Sequence, residues 1–189
     1  MAEVALDPAY RRISVEEFLA MNFGDAKAEL VDGLIYMMAG GTEIHSRIAI
    51  NVILTIGPML RGSGCRPYGS DLGARTGERT VRLPDVAIYC NNPASDENAQ
   101  KLLLGDPRVV FEVLSPSTSA LDQKTKLNEY RDLAGVSEIV LIDPSTHRIR
   151  LVERTGVDAW NDHWLQPGED LHLASLDLTL PHAEIFADD

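Results

Sequence analysis

The residue that most constrains this chain is a glutamate inside an apolar segment. Residues 109–114 read Val-Val-Phe-Glu-Val-Leu, and Glu112 is the only polar member of that run. Such a run is typical of a strand that is covered on both faces in an α/β protein. An unpaired buried carboxylate costs several kcal/mol, so Glu112 needs a partner or a chemical task. Two simpler interpretations stay open, in which Glu112 faces solvent on an edge strand or pairs with Lys126.

The residues after this run predict a helix and a second buried strand. A helix is predicted over residues 121–134, with Gly135 placed to end it. Residues 138–142 are predicted to form another buried strand. A strand–helix–strand unit of this kind joins two parallel strands of one sheet through a right-handed crossover.

Further elements are predicted on both sides of this unit. Ser14 to Glu17 form a capping box that opens a short helix, and Asp32-Gly33 is the turn of a β-hairpin. Apolar residues at helical spacing predict a helix over 42–60, which Pro58 weakens in its last turn. The remaining predicted elements are strands at 66–74, 80–83, 85–90 and 148–153, short β segments over 159–180, and a turn of helix over 181–186. This order predicts an α/β fold, a mixed β-sheet flanked by helices.

Length and composition describe an ordinary globular protein. The 189 residues suit a single domain, 1–189, with its core at about 14–180. Cys65 and Cys90 stand outside any cysteine–histidine ligand pattern, which argues against zinc and favours reduced thiols. No apolar stretch resembles a signal peptide or is long enough to span a bilayer. The sequence therefore predicts a cytoplasmic protein without a membrane partner.

The net charge of −12 argues against nucleic-acid binding. A strongly acidic chain is repelled at long range by nucleic-acid phosphates, which are usually gripped by lysine and arginine. Arg75, Arg79 and Arg82 cluster around one predicted hairpin. The cluster is interpreted first as a solvated turn, and alternatively as a local strip, Arg75 and Arg82 above all, that contacts substrate phosphates.

A second carboxylate, Asp85, completes a pair with Glu112. Asp85 follows Pro84 at the start of a predicted strand, and the two carboxylates are 112 − 85 = 27 positions apart. Alone, a Pro-Asp step is common in turns. As a pair at the ends of neighbouring strands, the two carboxylates are hard oxygen ligands that suit Mg²⁺ or Mn²⁺.

Several short motifs resemble the Uma-two family, bacterial proteins with a restriction-endonuclease-like fold of the PD-(D/E)XK type. Together they cover residues 14–180. The motifs are Pro84-Asp85, the stretch 112–118, Lys126 and Tyr130, the stretch 29–33, His45, and the stretches 134–138 and 142–144. Their joint order and spacing carries the resemblance, since each motif alone is short.

The resemblance implies a catalytic core of Glu29, Asp85, Glu112 and a lysine. In that superfamily the aspartate and the glutamate hold a metal ion, and the carbonyl of the next residue, here Val113, adds a ligand. The chain departs from the superfamily at Leu114, where a lysine would share a strand face with Glu112.

The resemblance implies that the family supplies this lysine from the helix after the strand. Asp122, Lys126 and Tyr130 are four residues apart and share one helix face. Lys126 is therefore the candidate catalytic lysine, although a simple pair with Asp122 stays open. His45 and Tyr130 are candidate substrate contacts, and each could equally be a structural residue.

The leading hypothesis is a Mg²⁺- or Mn²⁺-dependent endonuclease that hydrolyses DNA. The resemblance also implies a homodimer. Two alternatives stay open. One is a non-catalytic interaction module that retains the nuclease-like fold, and the other is a hydrolase of a small phosphorylated compound, for which the acidic net charge is no obstacle.

Overall fold

The computed structural model of the chain describes residues 11–91, 93–115 and 120–188, the last range without the side chains of residues 120–122. In chain order the elements are α1 (Val15–Leu19), β1 (Ala28–Val31), β2 (Leu34–Met37), α2 (Glu43–Met59), β3 (Arg66–Gly69), β4 (Ala74–Gly77), β5 (Thr80–Arg82), β6 (Val86–Tyr89), β7 (Val109–Val113), α3 (Ala120–Asp132), β8 (Glu138–Asp143), β9 (Arg148–Arg154), β10 (Trp160–Trp164), β11 (Leu171–Leu173), β12 (Leu178–Leu180) and α4 (His182–Ile185).

The described strands form a large mixed sheet, a smaller sheet and a two-stranded ribbon. The large sheet has the order β10-β9-β8-β7-β6-β3, and only its β7–β8 pair is parallel among the described pairs. α3 connects those two strands, which confirms the predicted strand–helix–strand unit. The predicted mixed sheet flanked by helices is therefore correct.

Strand β7 is buried on both faces, as its apolar run predicts. Phe111 and Val113 belong to the core that the sheet forms with α2, together with Val52 of that helix. Val110 belongs to the opposite core, which includes Tyr130 of α3. Side chains alternate along a strand, so Glu112 lies on the α3 side of β7.

The smaller sheet has the order β2-β1-β5-β4. The predicted hairpin turn joins β1 to β2, and Asp32 and Gly33 have φ angles of 47° and 79°. Positive φ at both central residues is the conformation that Asp-Gly favours in a two-residue hairpin. The predicted strand over 66–74 is wrong in extent, because the chain leaves β3 at Gly69 and starts β4 at Ala74.

The predicted helix starts are confirmed, and one predicted helix end is not. Ser14 and Glu17 form both hydrogen bonds of the capping box. α3 ends at Asp132, before Gly135. Gly135 instead packs against Asp106. A Cβ added at position 135 would lie only 2.4 Å from the Asp106 Cβ. The glycine is thus required by close packing rather than by a helix terminus.

The prediction of reduced thiols is wrong, because Cys65 and Cys90 form a disulfide. The pair Arg66–Tyr89 in the β3–β6 ladder brings the two cysteines face to face at the end of neighbouring antiparallel strands. Sequence spacing did not show this, since the cysteines are 25 positions apart. None of the helices in the described ranges has the length and apolar character needed to cross a membrane.

Candidate functional site

A large cleft opens between the two sheets, α2 and α3. Its volume is about 1100 Å³, and its lining includes Asp85, Glu112, Val113 and Lys126. His45 and Tyr130 also line it. Most residues that the sequence analysis selected are therefore brought together at one place.

The register of β6 against β7 explains why Asp85 and Glu112 meet. Val86 pairs with Phe111, and one further step along these antiparallel strands sets Asp85 opposite Glu112. The Val113 N–H donates a hydrogen bond of 2.7 Å to Asp85 Oδ2. This bond fixes the Asp85 carboxylate beside the end of β7.

Glu112 is nearly buried and is held by a tyrosine. The Tyr130 hydroxyl donates a hydrogen bond of 2.6 Å to Glu112 Oε1, and Lys126 Nζ lies 4.0 Å from Glu112 Oε2. Burial disfavours the charged carboxylate and raises the pKa of Glu112 to about 7, with a further contribution from Asp85. Lys126 and Tyr130 act in the opposite direction. Both of the simpler interpretations of Glu112 are thus incomplete, because it lies on an internal strand and has two partners.

Lys126 reaches the site from α3 and lies between two glutamates. Its Nζ donates a hydrogen bond of 3.1 Å to Glu29 Oε1, in addition to its contact with Glu112. Burial alone would lower the pKa of Lys126, but the carboxylates of Glu112 and Glu29 outweigh burial and raise it. Lys126 is therefore an ammonium at neutral pH, which can donate hydrogen bonds but cannot act as a general base.

Arg82 is buried beneath this site and does not line the cleft. Its guanidinium donates to Glu29 Oε2 at 2.9 Å and makes two bonds to Glu129, of 2.7 and 2.8 Å. Thr76 adds a hydrogen bond of 3.0 Å to the same Glu129 carboxylate. The side chain of Arg82 is only 3% exposed, so its donors face carboxylates inside the protein.

These contacts form a continuous chain of alternating charges from Glu129 through Arg82, Glu29 and Lys126 to Glu112. A buried charge is stable only when it is paired and hydrogen-bonded. The Leu83 N–H contributes a further bond of 3.1 Å to Glu29. Each member therefore holds its neighbour, and Glu29 fixes the position of Lys126.

His45 approaches the carboxylates from the start of α2. Its Nε2 lies 3.2 Å from Asp85 Oδ2. The hydrogen bond to Asp85 raises the pKa of His45, and Glu112 and the Val113 backbone act in the same direction. His45 thus adjoins the groups that could hold a cation.

Arg75 lies elsewhere, on the exposed side of β4. Its guanidinium bonds to Glu16 and to the backbone carbonyls of Gly77 and Glu78. The alternative interpretation of the arginine cluster as a phosphate-binding strip is not supported by these positions, since Arg75 and Arg82 are both outside the cleft lining. The pair between Lys126 and Asp122 that the sequence left open involves a side chain outside the described part of the structure.

Glu129, a member of the charge chain, and Thr76, which donates a hydrogen bond to it, had no signal in the sequence. Glu129 resembles any polar residue of a solvated helix, and Thr76 lies between Arg75 and Arg79 of the predicted hairpin. Their role depends on the packing of α3 against β4, which brings residues 53 positions apart into contact.

The donors at the site fit a hard divalent cation that keeps part of its water shell. Asp85 and Glu112 offer carboxylates to one cleft, and Val113 adds a backbone carbonyl. Within the described ranges, no group of three or more histidine, cysteine, aspartate or glutamate side chains is arranged to hold a metal. Mg²⁺ is commonly bound by one or two carboxylates plus waters, whereas a structural zinc site needs four protein ligands.

Comparison with known proteins places the chain among relatives of similar length. It is 29% identical to an uncharacterised protein of Synechocystis sp. over 172 aligned residues. The aligned residues make up 90% of this chain and 89% of the relative. A second uncharacterised protein of the same organism is 26% identical over 135 residues, or 71% of this chain and 76% of the relative.

The fold is also found in a solved structure. A crystal structure described as a putative nuclease belonging to DUF820, from Anabaena variabilis, superposes with a TM-score of 0.76 at 19% identity and covers 93% of this chain and 98% of that one. The family model of Uma2, the family that the sequence motifs resemble, matches residues 15–183 and carries the description putative restriction endonuclease. The chain therefore belongs to the Uma2 family, whose members are described as putative restriction endonucleases.

Proposed function

We propose that this protein is a divalent-metal-dependent nuclease that hydrolyses phosphodiester bonds of DNA. The observation that carries the proposal is the meeting of Asp85 and Glu112 at one cleft, with the Lys126 ammonium beside Glu112. The family and the fold of the Anabaena protein support the same reaction class.

In this proposal Asp85, Glu112 and the Val113 carbonyl hold Mg²⁺ or Mn²⁺. Such an ion, when bound, lowers the pKa of its water and polarises a phosphate oxygen. Lys126 donates a hydrogen bond to the attacking water or to the phosphoryl oxygens, where negative charge develops. Glu29 keeps the Lys126 ammonium in place, and Tyr130 orients the Glu112 carboxylate. Arg75 and Arg82 have no substrate contact in this proposal.

The test is a cleavage assay on plasmid DNA, single-stranded DNA and RNA, with Mg²⁺ or Mn²⁺ titrated in. Asp85→Asn and Glu112→Gln should lower the cleavage rate at least about a hundredfold, because each removes a charged ligand of the ion. Glu184→Gln, an exposed glutamate of α4, is the matched control and should cleave like the wild type. Equal rates in all four proteins would mean a contaminating nuclease and would reject the assignment.

One observation favours a non-catalytic alternative. Lys126 is already paired with Glu29 and lies near Glu112, so it compensates part of the negative charge of the two glutamates without a metal. Calorimetric titration with Mn²⁺ separates the two proposals. A working site binds Mn²⁺ in the wild type and loses that binding in Asp85→Asn, whereas a site locked by Lys126 shows no Asp85-dependent binding.

Three features beyond the reaction stay predictions: the single domain, the cytoplasmic location and the homodimer. The Cys65–Cys90 disulfide removes reduced thiols as a reason to expect the cytoplasm. Light scattering after gel filtration tests the homodimer directly.

A further inference from the structure

A second cavity adjoins the cleft and is different in character. Its volume is about 390 Å³, and it is lined by apolar side chains that include Phe18, Phe23 and Leu103. The rings of Phe18 and Phe23 lie 5.4 Å apart and are tilted by 44°. At its rim, Met21 and Leu102 are 42% and 52% exposed. Phe18 is 6% exposed and belongs to the core beneath the cavity, so the surface that faces solvent consists of the partly exposed Phe23 with Met21 and Leu102.

The side cavity and the cleft share part of their lining. Ala26, Lys27, Ser70 and Leu83 line both of them. Leu83 is two residues before Asp85, so the junction lies beside the proposed metal ligands. The side cavity is therefore a neighbouring space for an apolar group of a ligand that occupies the cleft.

Lys27 marks the junction with a cation. Its Nζ lies 2.8 Å from Asp71 Oδ1 and donates a hydrogen bond of 2.7 Å to Ser70 Oγ. The Asp71 side chain is 91% exposed, so a phosphate can replace it as the partner of Lys27 at little cost. The junction therefore suits a backbone phosphate between an apolar group and a reacting group.

The cleft itself is poor in available cations. In the described part of the chain, its cationic side chains are Lys27, His45 and Lys126, and the last two contact Asp85 and Glu29. Duplex DNA is bound mainly through several lysine and arginine contacts to phosphates, and the net charge of −12 adds long-range repulsion. A single strand is also bound through its phosphates, but the stacking of bases on aromatic side chains adds affinity that a duplex with paired bases cannot gain.

From these observations we propose that the DNA substrate is single-stranded and that one unpaired base next to the reacting phosphodiester enters the side cavity. This inference rests on the proposed nuclease function and adds the substrate class. A paired base cannot enter, because it remains stacked inside the duplex, and extrusion of it costs free energy.

The test compares three forms of one fluorescently labelled oligonucleotide with Mn²⁺ and the full chain. These are the single strand, the same strand annealed to its complement, and the single strand with abasic sites. The single strand is expected to be cleaved at least about tenfold more efficiently than the other two, the size of one lost base contact. Equal or faster cleavage of the duplex, or no effect of abasic sites, overturns the inference.

Rim variants test the cavity without disturbing the core. Met21→Ser and Leu102→Ser should raise KM for the single strand several-fold and leave kcat close to that of the wild type. Val157→Ser is the matched control, since Val157 is 86% exposed and lies in the turn between β9 and β10. Rim variants that behave like Val157→Ser overturn the assignment of the cavity.

An Asp85→Asn arm separates this inference from the proposed function. If the duplex is cleaved efficiently by the wild type and this cleavage is lost in Asp85→Asn, the nuclease function stands and the single-strand substrate is rejected. Absence of Asp85-dependent cleavage on every oligonucleotide rejects both. Asp85-dependent hydrolysis of a small phosphodiester such as bis(p-nitrophenyl) phosphate, without cleavage of any polymer, keeps the metal chemistry and rejects DNA as the substrate.

Discussion

Glu112→Gln is expected to stabilise the metal-free protein at alkaline pH although it weakens the proposed metal site. The pKa of Glu112 is raised from its ordinary value of 4.5 to about 7, first by burial and then by Asp85. A carboxyl group with a raised pKa binds its proton more tightly in the folded chain, so its stabilising contribution is complete below about pH 4.5 and is lost as the pH rises through about 7. The loss is about 3 kcal/mol, at about 1.4 kcal/mol per pKa unit. Solvent screening reduces this little, because the Glu112 side chain is only 14% exposed.

Glutamine stays neutral and can still accept the Tyr130 hydrogen bond. The free energy of unfolding of Glu112→Gln should therefore equal that of the wild type near pH 4 and exceed it by about 3 kcal/mol near pH 8.5. Urea unfolding in EDTA, followed by tryptophan fluorescence, measures both values. Glu184→Gln should show no such divergence. A difference between Glu112→Gln and the wild type that does not change with pH would refute the assigned cause.

Three further changes should lower the free energy of unfolding, measured by the same method. Arg82→Lys keeps one positive charge but loses the paired bonds to Glu129, and should lower the free energy of unfolding by about 3 kcal/mol. A decrease below about 1 kcal/mol would mean that the buried charge chain accepts an ammonium in place of the guanidinium. Reduction of Cys65–Cys90 should cost about 3 kcal/mol by releasing the denatured chain, and a Cys65→Ser variant should be insensitive to reductant. Gly33→Ala should cost more than 1 kcal/mol, about the usual strain of a positive φ, because its Cβ would also lie 2.7 Å from Arg12 Cβ; a neutral result would show that the hairpin can shift.

The elements with local signals were predictable. The capping box at Ser14, the Asp32-Gly33 turn and the apolar spacing of α2 each depend on neighbouring residues, and each is confirmed. The strand break between β3 and β4 and the close packing of Gly135 were missed, because both depend on residues distant in sequence.

The sequence by itself determined which carboxylates stand out, since Glu112 interrupts an apolar strand and a buried charge without a role is costly. Tertiary structure alone decided what surrounds them. The β6–β7 register brings Asp85 opposite Glu112, and the packing of α3 gives Lys126 its glutamate partners and turns Arg82 inward to Glu129. The disulfide was decided in the same way, by strand pairing. Local propensity depends on a few adjacent residues, whereas charge pairing and cysteine proximity depend on which distant elements pack together.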